Sequence, residues 1–195
     1  MSFAAIVVLS ALPVFKGFEA PRYQKHDALI ETLTAEFNRD RKAAAAATAN
    51  QSAAIPELQA SLVKAHMIQE SGGKDARSRA AWEIDPLQVN VPGDWNANKK
   101  YLGLKKPRHP NEGRLKDNLR AGIRFLVRKG FGCSGQPAAN RPDGFFDGWP
   151  LSLKRYNGRT DLLPSGAVYS DAYRDRIYDR KDHPQIKAPV ELYEQ

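Results

Sequence analysis

Apolar residues in this chain recur mostly at helical spacing. From Lys25 to about Thr48, Leu29, Leu33 and Phe37 fall every four residues with Ile30 beside them, and five alanines (Ala43 to Ala47) follow. This predicts one amphipathic helix ending in strong helix formers. Asn50-Gln51-Ser52 breaks the pattern and offers a cap for a second helix, with Pro56 in its first turn. That helix is predicted from Ala54 to Glu70. Its Leu58, Leu62, Val63, Ala65, Met67 and Ile68 cover most of the circumference, so it is expected to be buried, and Gly72-Gly73 stops it.

Residues 74–104 show no sustained period and hold Pro86, Pro92 and Gly93, which reads as loop with short elements. A third helix is predicted from Arg114 to Lys129. Its buried stripe is Leu115, Leu119, Ile123 and Leu126, and a basic stripe of Lys116, Arg120, Arg124 and Arg128 lies on another face. A Gly/Pro-rich stretch from Gly130 to Pro150 carries Phe131, Phe145, Phe146 and Trp149. Two further helices are expected at 151–156 and 169–180, with an irregular tail after His183. No repeat is visible and no strand-like alternation lasts, so the class is mainly α.

At 195 residues, 42% of them hydrophobic, the chain fits one domain of roughly 100–200 residues. The apolar fraction excludes a disordered polymer. Cys133 has no partner for an intramolecular disulfide, and His26, His66, His109 and His183 are too scattered to suggest a structural zinc site. The net charge is +8 and the sequence pI about 9.6. Between Lys99 and Gly130 stand eleven Lys or Arg against Glu112 and Asp117. Such a patch suits a polyanion: nucleic acid, an anionic membrane or an acidic cell wall. An apolar run from Phe3 to Phe15 is too short to span a bilayer, which takes roughly 20 residues. It also lacks the basic leader of an ordinary signal peptide.

Glu70 carries the most information. It follows Met67 by three residues and Val63 by seven, so it continues a buried stripe to the end of a core helix. Burial there, with the negative pole of the helix, favours a carboxyl group that keeps its proton. That is the state a general acid needs to protonate a glycosidic oxygen. A surface ion pair with a nearby Lys or Arg is the alternative.

Around Glu70 runs Ala65-His66-Met67-Ile68-Gln69-Glu70-Ser71-Gly72-Gly73. Ser78 follows, then Asp85-Pro86-Leu87-Gln88-Val89, Asn118-Leu119-Arg120-Ala121-Gly122 and Lys154-Arg155-Tyr156-Asn157-Gly158. In this order the pieces resemble the soluble lytic transglycosylase family, over about residues 56–180. The family pattern is a helix ending in Glu-Ser, a serine further on, Gly-Leu-Met-Gln, an Asn-plus-Gly helix and Ala-Tyr-Asn. The resemblance implies a lysozyme-like domain at 51–183, preceded by an N-terminal extension (1–50) and followed by a tail (184–195). It implies cleavage of the MurNAc–GlcNAc β-1,4 bond of peptidoglycan with Glu70 as the single acid/base and no cofactor. It further implies that Ser78 and Gln88 bond the sugar N-acetyl group and that Tyr156 lines the cleft. Ser71 and Asn157 would support them, and Asn118 would tie its helix to a loop.

The chain departs from the pattern at Asp85-Pro86, where the family has Gly-Leu, and the preceding segment holds Glu83. If Glu83 or Asp85 faces Glu70 with a water between them, hydrolysis replaces ring closure. Solvated loop acids are the plainer reading of both.

Gly130-Phe131-Gly132-Cys133-Ser134-Gly135 matches a dinucleotide motif by letter but follows a helix, not a strand, and is set aside. The basic stripe has no interleaved aromatics for base stacking, so nucleic acid is not the expected partner. Peptidoglycan strands are, together with a secretion machine or an inhibitor protein. Action in the periplasm or at the wall follows, by an export route left open. Rival readings are a hydrolytic muramidase, a module that binds wall or nucleic acid without cutting, and an assembly protein docked through residues 1–50.

Overall fold

The computed structural model of the chain describes residues 21–47, 55–95, 99, 102–110, 112–131 and 146–182. The helices among them are α1 (Asp27–Ala47), α2 (Ala60–Ser71), α3 (Ala76–Ile84), α4 (Leu115–Gly130), α5 (Trp149–Asn157) and α6 (Tyr169–Asp182). Short 3-10 turns cover Pro21–Tyr23 and Pro92–Asp94. An isolated bridge joins Leu162 to Val168, and no strand occurs among the described residues. The mainly α expectation therefore holds there. The apolar run 3–15, the cap candidates Asn50 to Ser52, Cys133, Phe145 and the 184–195 tail lie outside the described residues.

α2 is the central element. Every residue from Leu62 to Gln69 is buried, including Lys64, whose ammonium lies 2.7 Å from Asp27 Oδ1 on α1. α2 packs on α1, α3 and α6, while α4 packs on α5 and α5 on α6. Ile30 and Leu33 of α1 share one core cluster with Met67 of α2, Trp82 of α3, Leu119 and Ile123 of α4, Leu153 of α5 and Ile177 of α6. α1, placed in an N-terminal extension by its sequence, shares this core with the helices that follow.

α2 starts six residues later than predicted, at Ala60 rather than Ala54. Tertiary contacts hold the chain ahead of it out of the helix. Asn38 of α1 donates its amide to Leu58 O and accepts from Leu58 N–H, both at 2.9 Å. A backbone gripped at donor and acceptor by a side chain cannot also extend the helix.

α3 falls in a stretch read as loop. Asp75 caps it by accepting from Ser78 N–H at 2.9 Å. Only Ala81 and Trp82 of α3 are buried, adjacent positions that leave no helical period in the sequence. Trp82 anchors it, edge-on to Tyr23 at 5.4 Å and stacked on His26 at 5.7 Å.

Close approach of α4 to the segment after α3 requires Gly122, where an added Cβ would lie 2.5 Å from Leu87 Cδ1 and 2.8 Å from Leu87 Cβ. Phe146 packs 4.7 Å from Trp149 and fills the space above Gly130, an anchoring role for the loop aromatics. No helix among the described residues is long and apolar enough to cross a membrane.

Asn38→Leu should destabilise the fold by about 2–4 kcal/mol, because two buried Leu58 backbone groups lose their partner. Urea unfolding measures this, and a loss under half a kilocalorie would show that water replaces the side chain.

Candidate active site

Glu70 is the penultimate residue of α2, and its side chain is 17% exposed. The helix end that carries it is held from several directions. Tyr23 Oη donates to Gly72 O at 2.7 Å, and the Arg22 guanidinium donates to Gly72 O and, at 2.7 Å, to Gly73 O. These groups satisfy carbonyls that a helix terminus leaves open and set a positive charge at its negative pole. From α6, Arg180 donates to Gln69 Oε1 and Tyr173 Oη donates to Glu70 Oε1.

Tyr173 is a residue beside Glu70 that the sequence did not single out. Its one signal was the spacing Tyr169, Tyr173, Ile177, Arg180 along α6, all buried, because a buried tyrosine hydroxyl needs a polar partner. His66, one turn before Glu70, is fully buried, with Nε2 2.8 Å from Tyr173 Oη and 3.8 Å from Glu70 Oε1. Its Nδ1 is buried without a hydrogen-bond partner. A proton on Nε2 leaves only an acceptor unsatisfied there, so His66 Nε2–H donates to Tyr173, and the tyrosine proton points at Glu70. The chain of donors is directed at the carboxylate.

The turn 85–90 forms the other side. Gln88 adopts φ +48°, the left-handed region that costs a non-glycine residue on the order of 1 kcal/mol. Hydrogen bonds hold it there: Gln88 N–H to Asp85 O at 2.8 Å, and Val89 and Asn90 N–H to the Asp85 carboxylate at 3.1 and 2.8 Å. Ser71 Oγ reaches Pro86 O at 2.8 Å, and Tyr156 Oη donates to Leu87 O at 2.7 Å. Gln88 Nε2 donates to the backbone carbonyl of Glu70. An edge-to-face series of rings backs the site, with Phe125 5.1 Å from Tyr156 and Tyr156 4.5 Å from His66.

Glu70, Ser71, Gln88 and Tyr156 are thus brought together, along with Asp85. The others are not. Ser78 hydroxyl bonds Asp75 Oδ2 at 2.5 Å at the start of α3, beside Gly73. Asn157 Oδ1 accepts from Arg159 N–H at 3.2 Å past the end of α5. Glu83 is exposed on α3 and pairs with Lys25 at 2.5 Å, with no polar contact to Glu70 among the described residues. Asn118 bridges Ile84 O at 2.9 Å and Glu112 O at 3.1 Å, the tie between helix and loop that its motif suggested.

Asp85 is buried, 1% exposed, and its carboxylate serves the backbone of its own turn. Burial pushes this carboxyl up to about 6, against the two amide hydrogen bonds and nearby Lys99, with a smaller upward push from Glu70. Lys99 is itself buried and paired with Asp94 at 2.8 Å. No cluster of three or more His, Cys, Asp or Glu positioned for a metal occurs among the described residues.

Comparison of the chain with protein-family models, curated proteins and solved structures gives no match.

Between pH 3.8 and about 6 the folded state keeps the Asp85 proton that the unfolded chain has released. The Asp85 contribution is therefore greatest below pH 3.8 and is lost as pH rises to about 6, on the order of 3 kcal/mol. Unfolding free energies of wild type and Asp85→Asn, compared across that window, should diverge by this slope. Parallel profiles would contradict it.

Proposed function

We propose that this chain is a peptidoglycan-cleaving glycosidase of lysozyme-like fold that cuts the MurNAc–GlcNAc β-1,4 bond as a lytic transglycosylase. The observation that carries the reading is the seat of Glu70. A half-buried carboxyl at the end of the core helix receives a directed hydrogen bond from Tyr173, and a strained Gln88 is fastened to its backbone. Strain held by that many bonds is characteristic of sites where geometry matters more than local stability. The motif order in the sequence supplies the substrate.

Oε1 is engaged by Tyr173, so Oε2 carries the proton to the glycosidic oxygen. As the C1–O bond breaks, positive charge develops on the sugar and Glu70 becomes a carboxylate. Tyr173 stabilises that charge, with His66 behind it. The carboxylate then accepts the proton of the muramyl 6-hydroxyl while this oxygen closes on C1 to give the 1,6-anhydro product. No cofactor enters this sequence of steps.

One observation weighs against the hydrolytic alternative. Asp85 is the acid that lies near Glu70, yet its two oxygens accept backbone amides and it is buried. A second carboxylate that activates water needs room for that water. Glu83, engaged by Lys25, does not supply one either. The basic face of α4 favours an anionic wall over a neutral glycan, which agrees with a reaction in the periplasm or at the cell wall. The N-terminal residues and an export or inhibitor protein remain its candidate partners.

Digestion of purified sacculi followed by mass spectrometry tests this directly. Anhydro-muropeptides are expected from the wild type and none from Glu70→Gln, with little change in Tm because Gln keeps the Tyr173 acceptor. Tyr173→Phe should lower kcat by about tenfold to a hundredfold, the loss of one charge-assisted hydrogen bond. Reducing-end products would move the assignment to a hydrolase. A wild-type protein that releases nothing would point to a binding module.

A further inference from the structure

Residues 22–26 tie together the two elements that hold the Glu70 centre. On one side is the end of α2. Arg22 Nη2 donates to Gly73 O at 2.7 Å, to Tyr23 Oη at 2.8 Å and to Gly72 O, and Tyr23 Oη donates to Gly72 O at 2.7 Å. The Arg22 guanidinium also lies 4.5 Å from the centre of the Tyr23 ring. On the other side is the end of α3. Trp82 Nε1 donates to Arg22 O at 3.0 Å, and His26 Nε2 bonds Trp82 O at 3.1 Å. From there the chain enters the turn that carries Gln88.

The backbone just past α2 has little means of holding itself in place. A Cβ at Gly72 would lie 2.9 Å from Ile68 Cγ2, and one at Gly73 would lie 2.5 Å from Ser78 Oγ. With no side chains to anchor it, this stretch is located through its carbonyls. A guanidinium presents several donors in a rigid plane, which suits two successive carbonyls better than an ammonium does. Its charge also stands at the negative pole of the helix whose last turn carries Glu70. Gln88 Nε2, bonded to Glu70 O, joins the two sides directly.

We propose that Arg22 is a positioning residue for the Glu70 centre: by holding Gly72 and Gly73 it fixes the carboxyl against the turn that carries Gln88. The kinetic consequence rests on the peptidoglycan reading. Arg22 bonds backbone carbonyls, so its loss acts on the alignment of the acid and appears in kcat rather than KM. The segment ahead of α1 thereby belongs to the catalytic unit.

With soluble glycan strands, Arg22→Ala should lower kcat about tenfold at unchanged KM, because misplacement by about 1 Å costs up to about a hundredfold. Millimolar guanidinium should restore the rate, and Arg22→Lys, which keeps the charge without the fork, should fall between. Asn38→Leu, which weakens the fold away from this helix end, should leave kcat as it is. The side-chain amide resonances of Gln88 report its bond to Glu70 O without turnover. They should shift in Arg22→Ala and return with guanidinium. Unmoved Gln88 resonances, an unchanged kcat, an effect confined to KM, or an equal fall in Asn38→Leu would each overturn the proposal. A wild type that releases no muropeptide removes the glycosidase reading, and the Gln88 resonances then decide the role of Arg22 alone.

Discussion

A helix that ends inside a protein must find partners for its last carbonyl groups, and the end of α2 finds them in distant parts of the chain. Arg22 and Tyr23 take the carbonyls of Gly72 and Gly73, Gln88 takes that of Glu70, and Ser71 reaches across to Pro86. Each of these bonds also locates something else. Tyr23 leads to Trp82 and so to α3, while Gln88 and Ser71 fix the 85–90 turn. The requirement that this one terminus be satisfied therefore organises the surroundings of Glu70.

The polar groups around that terminus form two sets with different tasks. His66, Tyr173 and Glu70 make a directed series of donors ending on a carboxylate that remains reachable by solvent. Asp85, by contrast, is sealed from water and shapes backbone. Two acids of similar chemistry near one another thus take different roles, and burial with backbone bonding separates them. The ring of Tyr156 lies edge to face against both Phe125, at 5.1 Å, and His66, at 4.5 Å, and so backs the first set.

The basic surface is divided as well. Arg120 of α4 binds Glu36 of α1 at 2.7 Å and so joins two walls of the body, whereas Arg124 is exposed on the same helix. Lys105 and Lys106 precede α4 and stand at a cavity. A charge run that reads as one feature in the sequence becomes a structural brace, an open face and a pair of exposed lysines beside a cavity.

How much was legible depended on the range of the interaction concerned. The apolar spacing of Leu29, Leu33 and Phe37, the all-round apolar α2 and the stripe of α4 are local patterns, and they determined those helices to within a few residues at most boundaries. Glu70 stood out because its position on a buried stripe is also local information. What the sequence could not carry were contacts between remote positions. The late start of α2 depends on Asn38, twenty residues before Leu58. α3 shows two adjacent buried residues and no repeat, so its anchorage by Tyr23 and His26 was invisible. Tyr173 meets Glu70 across more than a hundred residues, and Ser78, Asn157 and Glu83 matched motifs or carried a carboxylate yet bond elsewhere. Secondary structure follows periodicity along the chain. Which side chain completes a buried carboxyl or carbonyl is decided only when helices pack, because the penalty for leaving it bare exists only once water has been excluded.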